Sequence, residues 1–140
     1  MTDLDRELEQ IVEQFGADSG TIHLLGEDGV LHLRAATAGI PQAVLDIVRI
    51  VPVGKGMAGL AVERNEPVNT CNIQADATGN VRPGARATGM QGAIVVPIVR
   101  DGAPIGALGI ANRSERTFTD EEIQKLLQAG QTLTAADKRR

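Results

Sequence analysis

Two apolar strands around Asp101-Gly102 constrain this chain more than any other feature. "AIVVPIVR" and "APIGALGIAN" flank the residue pair that a two-residue type I′ turn favours. Pairing outward from that turn groups Ile94, Val96, Ile98, Ile105, Ala107 and Gly109 on one face, and Val95, Pro97, Val99, Leu108 and Ile110 on the other. Both faces are apolar, so the hairpin belongs in mid-sheet with cover on each side.

The remaining segments supply that cover. Leu4, Leu8, Ile11, Val12 and Phe15 recur at helical spacing over residues 3–15, and Gly16 ends the helix. Alternating segments near 20–25 and 30–36 flank Gly26-Glu27-Asp28-Gly29, which suits a second hairpin. Pairing across those four residues sets Leu24 against Leu31 and Ile22 against Leu33 on one face. His23 then lies opposite His32, and Thr21 near Arg34, on a polar, solvent-facing side. Residues 41–51 suit a short helix running into a strand, and a glycine-rich turn opens a helix at about 57–65. "PVNTCNI" reads as a strand, and residues 74–92 as a long ordered loop. The last helix starts at "TFTDEEIQKLL", where Thr119 and Glu122 have capping-box spacing. Ile123, Leu126, Leu127 and Leu133 give it an apolar stripe. The chain thus reads helix, hairpin, helix, strand, hairpin, helix, a single α+β domain over residues 1–140.

Composition excludes several functions. A net charge of −4 is the opposite of the basic footprint expected of a nucleic-acid binder. No apolar run reaches a membrane span, and the acidic N-terminus lacks a signal-peptide core. One cysteine, Cys71, makes no internal disulfide and fits a reducing cytoplasm. With Phe15 and Phe118 as the aromatic side chains besides two histidines, a pocket here is short of stacking surface for a flat base or tetrapyrrole, and no cofactor is expected.

"VPVGKGMAGLAVERNEPVNTCNI", "AIVVPIVRDGAPIGALGIANR" and "FTDEEIQKLLQAG", in this order and spacing, resemble a GAF domain, the small sensory module of many signalling proteins. The resemblance runs from about Leu4 to Leu133. It implies a central antiparallel sheet with the N- and C-terminal helices packed on one face. A ligand pocket is implied on the other, under the short helix and the long loop. Ala107, Gly109 and Ala111 fit a sheet face that leaves volume there.

Gly54-Lys55-Gly56-Met57-Ala58-Gly59 also matches G-x-G-x-x-G, the dinucleotide fingerprint. The context argues against that use. The helix lasts about two turns before Pro67, and the following strand ends "NTCN", without the carboxylate that holds a ribose. The glycines are expected to turn the chain and permit close packing. The helix they open can still present free N–H groups and a positive dipole end to a small anion. GAF proteins that sense nitrate resemble this arrangement. The matching positions are Leu60 and Ala61, with Gly92 and Ala93 on the strand side, although the aromatic residues that help close that pocket are missing here. Lys55, Arg82 and Arg86 add cations around the same pocket.

Other motifs carry less. His23 and His32 are two ligands short of a metal site. Cys71 lacks the further cysteines of the GAF-type methionine sulfoxide reductases, and Asn72 stands where bilin-binding GAF domains commonly place a histidine. Asn112-Arg113 with Phe118, Asp120 and Glu121 resembles the N-K…F…D-E signature of cyclic-nucleotide GAF domains, with Arg113 for lysine and compressed spacing. No nucleophile–base–orienter set is present, so no catalysis is expected.

The expected function is a sensory module for a small polar or anionic ligand. It would signal through its terminal helices to a homodimer mate or a signalling kinase. The alternatives are a ligand-free dimerisation module, in which Leu4, Leu8, Ile11, Phe15, Ile123 and Leu127 face a partner rather than only the sheet, a cyclic-nucleotide-binding domain and, ranked last, a redox enzyme using Cys71.

Overall fold

A computed structural model describes residues 3–70 and 89–133. In chain order the elements are α1 (Asp3–Gln14), β1 (Ser19–Leu25), β2 (Val30–Ala36), α2 (Gln42–Val48), β3 (Ile50–Pro52), α3 (Gly56–Arg64), β4 (Val68–Thr70), β5 (Gly92–Arg100), β6 (Ala103–Asn112) and α4 (Asp120–Gln131). The strands form one antiparallel sheet in the order β3-β2-β1-β6-β5-β4. The two hairpins join through β1 and β6, so β5 and β6 are interior strands, as their two apolar faces require.

α1 and α4 cover one face. Leu4, Leu8, Ile11, Val12 and Phe15 meet Ile22, Leu24, Ile94, Val96, Leu108 and Ile110 there, with Leu126 and Leu133 from the C-terminal end. The apolar stripes of both terminal helices pack on their own sheet: Leu4, Leu8, Ile11 and Phe15 are buried, and Ile123 and Leu127 are half-buried against the same cluster. α4 begins at the expected capping box. Glu122 N donates to Thr119 Oγ1 at 3.1 Å, and Thr119 N donates to Glu122 Oε1 at 3.0 Å. The Thr119 amide, followed by the Arg116 guanidinium, holds the Glu122 carboxyl below the usual range.

Two registers differ from simple pairing. Asp101 and Gly102 both take positive φ, 54° and 81°, as a type I′ turn demands. Past Val99 opposite Pro104, however, Ile98 pairs with Gly106, so Ile105 is an extra, bulged residue. Ala107 and Gly109 consequently share a face with Pro97 and Val95, and Ile110 and Leu108 with Ile94 and Val96. In the first hairpin Leu25, not Leu24, pairs with Leu31, because the connection takes five residues. Asp28 closes it by accepting from Val30 N at 3.3 Å, with Gly29 at φ 83°. That one-residue slip sends His23 opposite Leu33 and His32 opposite Leu24, on different faces of the sheet. Arg34 is a second bulged residue, after which Ile22 pairs with Ala35.

The glycine-rich stretch turns the chain from β3 into α3. Gly54 and Gly56 take φ of 90° and 62°. Gly59 lies so close to the Pro52 carbonyl oxygen and Gly54 N that a Cβ would collide with both. β3 and β4 sit at opposite edges of an antiparallel sheet, so the parallel βαβ unit of a dinucleotide fold is not formed. Gly59→Ala should lower unfolding free energy by about 1–3 kcal/mol through overpacking against backbone. Urea unfolding checks this; an unchanged midpoint would show that the α3–β3 contact is not tight.

Candidate functional site

The sheet face opposite α1 and α4 is incompletely filled. Leu31, Val51, Val62 and Ala107 pack one end of it, and Met90 with Ala93 the other. Between them lies a cavity of about 190 Å³. Its floor is β1 through Ser19, Thr21 and His23, β6 through Gly109 and Ala111, and β5 through Ala93 and Val95. The expected small residues of β6 do leave this volume at Gly109 and Ala111, whereas Ala107 lies under the packed end. The roof is α2 with Val44, Ile47 and Val48, the turn at Ala38–Pro41, and the first turn of α3 with Gly56, Met57 and Ala58. The lining is mostly apolar. Exposed charges stand at its edge: Asp18, Lys55 and Arg113.

His23 corrects the sequence reading most sharply. Far from a solvent-facing pair with His32, it is only 3% exposed. Its Nε2 lies 2.8 Å from the Val48 carbonyl oxygen. A carbonyl only accepts, so Nε2 carries the proton and donates. Burial is the larger influence on this ring and pushes its pKa down, against the opposing pull of the Val48 bond. The ring is thus neutral at pH 7, with Nδ1 as an acceptor. His32 instead pairs with Asp28 at 2.7 Å in solvent. Among the described residues no cluster of three or more His, Cys, Asp or Glu could hold a metal.

The structure brings some of the expected site residues together and separates others. Lys55 and Ala93 line the cavity; Leu60, Ala61 and Gly92 do not. Leu60 and Ala61 lie past the first turn of α3, where N–H groups bond to the helix's own carbonyls. Gly92 N donates to Ser114 O at 3.1 Å, and a Cβ there would meet Arg116. The free donors at this helix start belong to Gly56, Met57 and Ala58. Arg82, Arg86, Cys71 and most of the 74–92 loop lie outside the described residues.

The Asn112–Glu121 signature is occupied structurally. Asn112 Nδ2 donates to Gly16 O at 2.9 Å, and its Oδ1 accepts from Arg116 Nη1 at 2.9 Å. Arg116 also pairs with Glu122 at 2.6 Å and lies over the Phe118 ring at 4.5 Å from its centroid. Glu121 pairs with Lys125. Arg113 N donates to Asp18 Oδ2 at 2.7 Å. These residues fasten the end of α1 to the start of α4.

Sequence reasoning passed over Ser19, Thr21 and the α2 roof. Polar alternation along β1 resembles a wet face, and only the register shows that this face is covered.

A central antiparallel sheet with a helical pair on one face and a roofed cavity on the other defines a familiar class of small α+β module. Residues 3–136 match the family model described as GAF domain, and the chain belongs to that family. No curated protein matches this sequence. Solved structures do. The GAF domain from an Acinetobacter phosphoenolpyruvate-protein phosphotransferase superposes with a TM-score of 0.76 at 22% identity, over 94% of this chain and 78% of that one. The free methionine-R-sulfoxide reductase from Neisseria meningitidis, in complex with its substrate, gives 0.76 at 20% identity, over 97% and 76%. The type II free methionine-R-sulfoxide reductase from Thermoplasma acidophilum gives 0.73 at 21%, over 94% and 87%. At such identities the likeness establishes the fold, which serves catalytic and non-catalytic proteins alike. Among the described residues no helix is long and apolar enough to cross a membrane.

The His23 geometry carries a pH dependence. Its folded pKa lies below the unfolded value of about 6.5, so between the two the unfolded chain binds more protons. Stability should fall as pH drops below about 6.5 and continue to fall until the folded pKa is passed. Urea unfolding at stepped pH from 7.5 to 5.5 reads this slope, and His23→Gln should flatten it. An equal slope in the variant would place the titrating group elsewhere.

Proposed function

We propose that this GAF domain is a non-catalytic regulatory module whose cavity binds a small organic ligand, with α1 and α4 as the output. The observation that supports this is the cavity itself: about 190 Å³, lined mainly by apolar side chains, in a chain whose other sheet face is densely filled. A compact body of low polarity suits that lining. A polar or anionic group suits the edge, where Lys55 and Arg113 stand. Free nitrate is a poorer fit than a small organic acid, because the enclosed part offers little to replace its hydration.

The edge of the cavity is also next to the joint between the terminal helices. Arg113 and Asp18 line it, Asp18 follows α1, and Arg113 lies between β6 and the Arg116–Glu122 pair that opens α4. A ligand that prefers one arrangement of this edge would bias how α1 and α4 pack, by no more than its differential affinity for the two arrangements. In this reading the listener, a second copy or a signalling kinase, docks on the outer polar faces of α1 and α4. The acidic charge and single cysteine suit a reducing cytoplasm.

Thermal unfolding against a panel of small carboxylates, inorganic anions, neutral organic molecules and cyclic nucleotides tests the reading. A ligand at a hundred times its Kd should add about 2.7 kcal/mol, a shift of several degrees. Ala93→Leu, which fills the cavity, should abolish the shift, and Lys55→Gln should weaken it for carboxylates only. A panel that leaves the midpoint unmoved, together with a stabilised Ala93→Leu, would make the cavity vestigial.

A further inference from the structure

The cavity floor has a polar edge within an otherwise apolar chamber. β1 pairs with β6 in unbroken register from Ser19 opposite Ala111 to Leu24 opposite Gly106. Ser19, Thr21 and His23 therefore share one face, about 6.8 Å apart along the strand. Their neighbours on β6 are Ala111, Gly109 and Ala107, so nothing large stands beside them on that side; on the β2 side Leu33 lies opposite His23 and Ala36 opposite Thr21. Thr21 Oγ1 would be 3.4 Å from a Cβ at Gly109, which places the hydroxyl on the cavity side.

Among the described residues these groups keep hydrogen-bonding capacity to spare. His23 uses Nε2 on the Val48 carbonyl, and its Nδ1 has no hydrogen-bond partner among the described residues. The Ser19 and Thr21 hydroxyls likewise have none among them. They are not sealed: Ser19, Thr21 and His23 line the cavity, so their free polar atoms open onto its space and are available to a ligand group placed there.

We infer that the Ser19–Thr21–His23 face of β1 is the recognition element of this cavity, selecting a ligand whose buried end is an uncharged hydrogen-bond donor to Nδ1 of His23. A hydroxyl or a ring or amide N–H meets that description. A carboxylate or nitrate oxygen does not, since it would oppose the Nδ1 lone pair. An ammonium is disfavoured because the carboxylate among the described lining residues, Asp18, is exposed and already accepts from Arg113 N. Any anionic group on the ligand then belongs at the Lys55 and Arg113 edge, with the donor at the floor. The inference rests on the ligand-binding reading above and adds the chemistry of the ligand's inner end.

Phenol and toluene test it, being near-isosteric and differing in one donor. A cavity of about 150 Å³ accepts benzene, so one ring fits the volume here. The full chain, labelled with nitrogen-15, is titrated with each while the Nδ1 resonance of His23 is followed and both Kd values are measured. Phenol should move Nδ1 toward its hydrogen-bonded position, and toluene should not. In His23→Leu the phenol-to-toluene affinity ratio should fall about tenfold. Binding of both with Nδ1 unmoved and the ratio unchanged in the variant would overturn the inference while leaving the ligand pocket standing. Failure of both to bind at millimolar concentration would overturn the inference, while the ligand-pocket reading is decided separately by the ligand panel and Ala93→Leu. Should His23→Leu not fold, the Nδ1 resonance of the native chain decides, since it needs no substitution.

Discussion

A sheet whose central strands are apolar on both faces must be covered twice, and the rest of this molecule follows from how unevenly that is done. On one side Ile22, Leu24, Ile94, Val96, Leu108 and Ile110 offer large side chains to two amphipathic helices, and the contact is dense. On the other side the same strands offer Ala93, Gly109 and Ala111. Small residues cannot reach the short elements above them, and a void is left where the cover is thinnest. Filling it would take only a few larger side chains. Its persistence carries a cavity cost of the kind measured for truncated cores.

His23 ties the two walls of that void together. α2 spans Gln42–Val48, and a helix leaves its last carbonyls without intrahelical partners. Nε2 of His23, rising from the sheet, bonds the carbonyl of Val48. The bond fixes the ring's tautomer and anchors the end of the roof to the floor. Burying the imidazole also commits it to the neutral state at pH 7. A lysine or arginine at this position would bring a charge under the roof, where the carboxylate among the described lining residues, Asp18, stands at the exposed edge.

Much of the fold was legible because its signals are local. Helical spacing in α1, the Thr119–Glu122 capping box and the Asp101-Gly102 turn each report on a few adjacent residues, and each corresponds to an observed element. Register was less legible. Ile105 and Arg34 are bulged, and the Gly26–Val30 connection is one residue longer than the simplest hairpin implies. Each adjustment moves side chains between faces. That is why His23 and His32 read as one exposed pair although one is buried and the other solvated. Lys55, expected as a cation in the glycine turn, and Ala93, expected from the resemblance, line the cavity, whereas Leu60, Ala61 and Gly92 do not. Whether a main-chain N–H is free depends on its hydrogen-bond partner, and residue identity does not report that.

The apparent nucleotide signatures show the same principle from the other side. G-x-G-x-x-G needs a parallel strand before it and another after it to present a helix end to a pyrophosphate. Here it joins an edge strand to a nine-residue helix of an antiparallel sheet, and its glycines are consumed by a turn and by contact with the Pro52 carbonyl. The Asn112–Glu121 stretch is consumed differently, by hydrogen bonds that lock Gly16 to Asn112, Asn112 to Arg116 and Arg116 to Glu122. A side chain already bonded this way has little left for a ligand, and such a network stiffens the joint between α1 and α4. Stiffness at that joint matters for a regulatory module. In the proposed role, a small rearrangement at Asp18 or Arg113 would be passed on to both helices as a unit instead of being absorbed in a loose connection.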